Sequence, residues 1–212
     1  MGWLYIAFES DATDLVSGDT NGATDVYWVE FEVRAEEDAQ GNTSPGSINL
    51  QYSSNSIARV SSPTGGSGVG NAASSAPSIG GADGQFVAFE SLATNLQAGF
   101  ADGNGSGNPD VYIREIGNGD ATRLVSHVVG STAQGGDGAA SQPSFAAAGD
   151  VAAYRSLASD LIVGDTNGVA DVFYADTSGG TPFTTVRASV TTGGGEASGG
   201  DSSEPSVYSE GA

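Results

Sequence analysis

One 11-residue segment occurs three times in the chain, and any fold for this sequence must accommodate that repetition. The segment reads YIAFESDATDL at 5–15, FVAFESLATNL at 86–96 and VAAYRSLASDL at 151–161. Self-similarity at such a spacing is typical of proteins built from repeated structural units. The second and third copies begin 65 residues apart, so the sequence predicts three units of that approximate length.

Each unit contains four short segments rich in Val, Ile, Tyr and Phe, separated by turn residues and without helical periodicity. The repeated segment is followed by DVYWVEF, DVYIREI or DVFYADT, then by IARVSS, TRLVSH or TVRASV, and finally by Pro-Ser before an apolar residue. Four-stranded sheets in tandem are the blades of a β-propeller, whereas a β-solenoid has shorter repeats and a sandwich does not repeat at this period. The sequence therefore predicts an all-β propeller, with a β-solenoid or a sandwich as alternatives.

The order of the segments indicates how the blades divide along the chain, which is treated as one domain over 1–212. Two four-stranded blades are expected at 77–127 and 143–190. The third is split, with three strands in 3–62 and its first strand in 205–212, around Pro-Ser-Val-Tyr. The first two copies are 81 residues apart, and the surplus lies around 34–52.

Three blades cannot close a ring, because propellers use about four to eight. Open blade faces are apolar surfaces that mark interaction sites, and a two-fold dimer would bury them in both copies. We therefore expect a homodimeric six-bladed ring, in which each shared blade takes one strand from one chain and three from the other. The alternative is that the missing blades belong to a longer natural chain from which this piece was cut. The two explanations are compatible, because such a piece could still form the dimer.

The charge of the chain limits the classes of molecule that it can bind. Twenty-six acidic residues face six arginines and no lysine, which gives a formal net charge of −20. This balance argues against nucleic acid and anionic membranes as partners, and is compatible with solubility in a salty or extracellular setting and with cation binding.

Cysteine is absent, so the chain has no disulfide or thiolate chemistry. No apolar run approaches the ~18 residues of a membrane span, and no signal peptide is recognised.

The strings FVAFES, LATNL, GDTNGVADVF and TRLVS, with Pro-Ser before a short strand, together resemble the TolB-like, WD-repeat-like family of bacterial β-propellers. The resemblance covers nearly the whole chain and is weakest over 32–55. It implies a periplasmic, secreted or surface protein that serves as a binding or scaffolding module. It implies no particular ligand.

The loop that follows each repeated segment carries the residues best suited to bind a cation. In the first and third units the candidate ligands are Asp19, Asn21, Asp25, Asp165, Asn167 and Asp171. Alternating oxygen-bearing side chains, a Gly for a sharp turn and a later Asp form the pattern by which EF-hand loops bind Ca²⁺, and the loops also resemble those of integrin-type propeller blades. Two carboxylates in each loop predict weak calcium sites, with a Kd of about 10⁻⁴ to 10⁻³ M. The alternative is an Asp-Thr-Asn-Gly turn without an ion.

The second unit has a longer loop, which is the fullest match to this pattern. Its candidate ligands are Asp102, Asn104, Ser106, Asp110 and the backbone carbonyl of Asn108. When the loops are aligned on the Gly that allows the sharp turn, the first and third units have Ser17 and Val163 where this loop has the Asp102 carboxylate.

No arrangement in the sequence indicates catalysis. His127 is the only histidine, and nothing places a nucleophile and an acid beside it. Glu9 and Glu90 are equivalent residues of two repeats, but the third repeat has Arg155, so we predict solvent-facing strand residues rather than a glycosidase pair.

Two classes of function follow from these features. The first is a non-enzymatic structural or binding module whose calcium sites stiffen the loops and whose ends drive assembly. The alternative is a hydrolase or lyase that acts on glycans or peptides at the propeller axis. A carbohydrate or polymer ligand is compatible with either.

Overall fold

Three antiparallel β-sheets follow one another along the chain in a computed structural model. The structure describes residues 2–37, 43–117, 119–179 and 181–209, and for 34–37 and 43–56 it describes the backbone alone. Sheet 1 has the order β1 (Gly2–Ser10), β2 (Asp25–Glu37), β3 (Thr43–Arg59). Sheet 2 has the order β4 (Ser74–Gly80), β5 (Phe86–Ser91), β6 (Asp110–Glu115), β7 (Thr122–Leu124). Sheet 3 has the order β8 (Ala140–Phe145), β9 (Val151–Ser156), β10 (Asp171–Asp176), β11 (Thr184–Arg187).

These strands confirm the all-β prediction in its coarse form. The described ranges contain no helix, and hence none that could cross a membrane. Sheets 2 and 3 have four strands each, and sheet 1 has three. The sheets do not close into a ring. Part of the surplus around 34–52 lengthens strands β2 and β3, where Ala35 pairs with Ile48.

Apolar side chains on both faces of sheet 2 pack the three sheets against one another. Val87 and Phe89 of β5 belong to a buried cluster shared with sheet 1, whereas Ala88 between them belongs to one shared with sheet 3. Alternate residues of a strand point to opposite faces, so an uninterrupted apolar run such as Phe-Val-Ala-Phe suits a sheet covered on both sides.

Strand β1 lacks the cover that its counterparts have. It pairs only with β2 among the described strands, so its other edge is open. Ile6 is 40% exposed, whereas the equivalent residues Val87 in β5 and Ala152 in β9 are both 0% exposed. The three strands occupy equivalent places in the repeat. The difference in exposure therefore comes from their positions in the fold and not from their sequences.

One turn connects consecutive sheets in the same way. Ala76 and Gln142 have positive φ angles of 50° and 56°, and each precedes a proline. Their backbone N–H groups donate to the preceding sheet, Ala76 to Glu9 Oε2 at 2.9 Å and Gln142 to Glu90 Oε1 at 2.7 Å. A non-glycine residue rarely has a positive φ angle, so the recurrence of this conformation before two prolines identifies a specific connection between sheets, here called the joint. Glu9 and Glu90 therefore anchor the next sheet, beyond the solvent-facing role predicted for them.

The joint occurs a third time, near the last residues described. Glu204 has a φ of 56°, precedes Pro205 and donates its N–H to Gln142 Oε1 at 2.8 Å. Arg155 replaces the glutamate here and forms an ion pair with Asp201 at 3.3 Å. The segment 202–209 thus begins as β4 and β8 do, but it belongs to none of the three sheets.

Candidate functional site

The final Asp of each loop is held in the same buried setting at the start of a strand. Asp25, Asp110 and Asp171 open β2, β6 and β10 and are at most 3% exposed. A serine of the last strand region donates its hydroxyl to each carboxylate: Ser61 at 2.5 Å, Ser126 at 2.9 Å and Ser189 at 2.5 Å. The same hydroxyls accept the N–H of the residue after each Asp, namely Val26, Val111 and Val172, at 3.0–3.1 Å. The final Asp therefore locks the loop to the sheet in all three units.

Sheet 3 brings its predicted acids together and adds one that sequence reasoning missed. Asp165, Asp171 and Glu196 have carboxylate oxygens within 4.8 Å of one another, a grouping that could hold a metal ion. Arg187 lies among them, and its Nη1 is 2.7 Å from Glu196, 3.2 Å from Asp171 and 3.7 Å from Asp165. Hydrogen bonds from Arg187 and from Thr166 lower the pKa of Glu196 to about 2, so the group is ionised. Asn167 Nδ2 donates to Asp171 at 2.8 Å.

Sheet 1 has the same arrangement without the extra acid. Arg59 Nη1 lies 3.5 Å from Asp19 and 3.7 Å from Asp25. Asn21 Nδ2 donates to Asp25 at 3.2 Å. Tyr27 donates its hydroxyl to Asp19 at 3.2 Å, and burial is the largest of the effects that raise the pKa of this phenol to about 12. In sheets 1 and 3, a guanidinium therefore lies between the carboxylates proposed as calcium ligands.

Sheet 2 has no such arginine, because Leu124 holds the position of Arg59 and Arg187 in the pairing of the strands. Burial raises the pKa of Asp110 to about 7, with the Ser126 hydrogen bond opposing the effect. Within the described part of the chain, neither Asn104 Oδ1 nor the Tyr112 hydroxyl has a hydrogen-bond partner, although both atoms are buried. This loop therefore has a buried acid without a neutralising arginine.

The remaining candidates of this loop lie further out. Asp102 and Ser106 are exposed, and Asp102 Oδ1 accepts the N–H groups of Asn104 and Gly105, which makes it a turn residue. Asn108 Nδ2 donates to the carbonyl of Asn104 at 2.7 Å.

Side-chain contacts correct the alignment of the three loops. Asn104 Nδ2 reaches the carbonyl of Gly138, as the amides of its counterparts Asn21 and Asn167 reach Gly70 and Ala197. Asp102 therefore corresponds to Asp19 and Asp165, and the alignment with Ser17 and Val163 is wrong. The extra residues of the longer loop lie between Asn104 and the final Asp.

His127 is a packing residue at the edge of this region. Its ring is stacked on Phe183 with centroids 6.4 Å apart, and Nδ1 lies 3.0 Å from the Val128 carbonyl oxygen. Burial lowers the pKa of this imidazole, which favours its neutral form.

Sequence reasoning missed Arg59, Arg187 and Glu196. A signal for the arginines was present, since both stand two residues before the serine that binds the final Asp. Glu196 left no such signal, because the loop that carries it differs in sequence from its counterparts. Comparison with known proteins adds no assignment: no protein-family model matches the chain, and no curated protein matches it.

Proposed function

We propose that the chain is a non-enzymatic structural and binding module of the β-propeller type, which assembles with a second copy by sharing a blade and binds calcium in its loops. The geometry of segment 202–209 is the observation that carries this proposal. It has the joint that precedes β4 and β8, yet no described strand pairs with it to complete a sheet. Strand β1 has an open edge on the side where β5 and β9 pair with β4 and β8.

Two further contacts support the equivalence of this segment with β4 and β8. Ser202 N–H donates to the carbonyl of Ala170 at 2.7 Å, as Ala140 N–H donates to that of Pro109 at 2.9 Å. Val207 N–H donates to Ser144 Oγ at 3.1 Å, as Phe145 N–H donates to Ser78 Oγ at 2.9 Å. The segment is therefore aligned on sheet 3 as β8 is aligned on sheet 2.

The repeat also predicts a register for the proposed shared blade. Ile79 pairs with Val87 in sheet 2, and Phe145 pairs with Ala152 in sheet 3. Transfer of this register places Val207 of one copy opposite Ile6 of the other. The pairing would cover the open edge of β1 and complete a four-stranded sheet. Two copies would then supply six blades, within the range of about four to eight that propellers use.

The mass of the particle in solution tests this assembly. We expect light scattering to give twice the 21.0 kDa of the chain, and Ile6→Lys to return the particle to a single chain, because a charge would be buried in the shared blade. Val129→Lys, which changes an exposed apolar residue in a loop, is the matched control and should leave the dimer intact. A mass of 21.0 kDa at about 100 µM protein would remove the assembly from the proposal.

For calcium, the grouping in sheet 3 is the best supported site. Three carboxylates and one arginine give it a formal charge of −2, which one Ca²⁺ would neutralise, and the ion prefers carboxylate and carbonyl oxygens. Binding requires Arg187 Nη1 to withdraw from Glu196, and this competition is a further reason to expect weak affinity.

Melting temperatures in calcium and in chelator test this site. A ligand that binds only the folded state raises the melting temperature by mass action. We expect millimolar Ca²⁺ to raise the melting temperature of the unmodified chain and of Asp102→Asn. The melting temperature of Glu196→Gln should not change. A shift lost only in Asp102→Asn would move the site to sheet 2, and no shift in the unmodified chain would leave all three loops as turns.

A further inference from the structure

Each of the three loops contains an Asn-Gly pair, at 21–22, 104–105 and 167–168. In such a pair the backbone nitrogen of the glycine can attack the asparagine carboxamide, because glycine has no side chain to hinder the approach. The attack requires a carboxamide that is free to turn toward that nitrogen. The three loops therefore present one reactive pair in three different settings.

In the first and third loops, hydrogen bonds hold both the oxygen and the nitrogen of the carboxamide. Asn21 Oδ1 accepts the Ala23 N–H at 2.9 Å, and Asn167 Oδ1 accepts the Val169 N–H at 3.0 Å. The Nδ2 atoms donate to the final Asp, at 3.2 Å from Asn21 and at 2.8 Å from Asn167. They also donate to a backbone carbonyl, at 2.9 Å and 2.7 Å. Attack by the glycine nitrogen would break these bonds, so both asparagines are protected.

In the second loop, the carboxamide of Asn104 is held less firmly. Among the described residues, its Oδ1 has no hydrogen-bond partner. Its Nδ2 lies 3.4 Å from the Pro109 carbonyl oxygen and 3.3 Å from that of Gly138, beyond the about 2.7–3.2 Å of a good N–H···O bond. Rotation of this side chain therefore breaks fewer and weaker bonds than in the other two loops.

A carboxylate also lies at the nitrogen that would react. Asp102 Oδ1 accepts the Gly105 N–H at 2.7 Å, within the about 2.6–3.2 Å over which a base can remove a proton. In the part of the chain that the structure describes, no carboxylate accepts the N–H of Gly22 or Gly168. Gly105 is exposed, so water has access to the reacting bond.

We infer that Asn104 is a site of spontaneous deamidation in the folded protein. Gly105 N forms a bond to Asn104 Cγ while its proton passes to the Asp102 carboxylate. The Cγ–Nδ2 bond then breaks, and the nitrogen leaves with that proton as ammonia, so that a cyclic imide remains. Water adds to one of the two imide carbonyls and opens the ring, which leaves aspartate or isoaspartate at position 104.

The product differs from asparagine at a contact between two sheets. A carboxylate at position 104 has no N–H to donate to the carbonyl oxygens of Pro109 and Gly138, and it adds a negative charge near Asp102. Gly138 lies two residues before the start of β8, so the conversion weakens the connection of sheet 2 to sheet 3. The loop therefore contains a slow, one-way chemical change that loosens the fold.

Peptide mapping by mass spectrometry, after incubation of the folded full chain at pH 8 in chelator, tests this inference. We expect Asn104 to convert at least about tenfold faster than Asn21 and Asn167, because those two must first break additional hydrogen bonds. The same chain incubated in urea should convert all three at similar rates, since an unhindered glycine follows each of them.

Two variants test the role of the carboxylate. Asp102→Ser keeps an oxygen that can accept the Gly105 N–H but removes the base, so it should slow the conversion of Asn104. Asp14→Ser, which removes an exposed acid of the first repeat, is the matched control and should leave that rate unchanged.

Equal rates at the three sites of the folded chain, a preference for Asn104 that persists in urea, or an unchanged rate in Asp102→Ser would each overturn the inference. The reaction involves neither calcium nor a second copy, so its outcome is independent of the proposed function.

Discussion

Among the described residues, no arginine lies beside Asp110, the buried acid of sheet 2. The substitution Asp110→Asn isolates the consequence of this difference between the units. Asparagine keeps the oxygen that accepts the Ser126 hydroxyl at 2.9 Å and removes the charge. Leu124 stands where the other sheets have arginine, so the substitution breaks no ion pair there. We therefore expect the variant to be more stable than the unmodified chain wherever Asp110 would be ionised.

The pKa shift of this group sets the size and sign of the effect. Burial raises the pKa of Asp110 from 3.8 to about 7, and each unit corresponds to about 1.4 kcal/mol. The folded state binds the proton more tightly than the unfolded state, so the free energy of unfolding decreases as the pH rises from about 4 to about 7. The loss reaches about 4 kcal/mol above pH 7, and the asparagine variant does not suffer it.

Urea denaturation of both proteins at pH 4.5 and pH 8, in chelator, measures this difference. The stability of Asp110→Asn relative to the unmodified chain should increase by about 3 kcal/mol between the two pH values, because about 1 kcal/mol of the effect is already present at pH 4.5. Asp171→Asn is the matched control, and should lose about 1.5–3 kcal/mol at pH 8 because it removes a carboxylate that Arg187 binds. A stability difference for Asp110→Asn that is the same at both pH values would refute the reasoning.

Two further predictions concern the contacts between sheets. Glu90→Ala should cost about 1–3 kcal/mol in urea denaturation, because the Gln142 N–H loses its acceptor, and a loss below ~0.5 kcal/mol would show that water replaces the carboxylate. Gly80→Ala should lower the stability measured by calorimetry by about 1–3 kcal/mol, because the new methyl group collides with the Phe145 ring, whereas Gly193→Ala enters open space and should be nearly neutral. Equal effects of the two alanines would contradict the packing described here.

The strands were predictable because each repeat records a local pattern. The segments FVAFES and DVYIREI predict strands at 86–91 and 110–116, and the structure has Phe86–Ser91 and Asp110–Glu115. The joints between sheets were not predictable, since a positive φ at Gln142 depends on Glu90, which lies 52 residues earlier. Propensity arguments consider only residues that are near one another in sequence, so they cannot predict a contact between residues as far apart as Glu90 and Gln142.

The candidate site was predicted in part. The final Asp of each loop is buried and bound as a structural anchor, and two of the three loops place an arginine where a cation was expected. That arginine comes from a different strand, and its significance depends on distances between strands rather than on spacing in the loop. The sequence alone likewise does not show that Leu124 of the second unit stands where the other units have the arginine near the final Asp. The consequence for Asp110, a buried acid with a raised pKa, appears only in the structure.

A disulfide between two copies tests the shared blade most directly. The chain contains no cysteine, so Ile6→Cys combined with Val207→Cys provides the only thiols. The proposed register places these residues opposite each other in different copies, and mild oxidation should give a covalent dimer on a non-reducing gel. Ser10→Cys with Val207→Cys is the control, because four residues of offset separate its thiols by about 13 Å. A chain that stays monomeric with the first pair, or that couples equally through both pairs, would contradict the assembly.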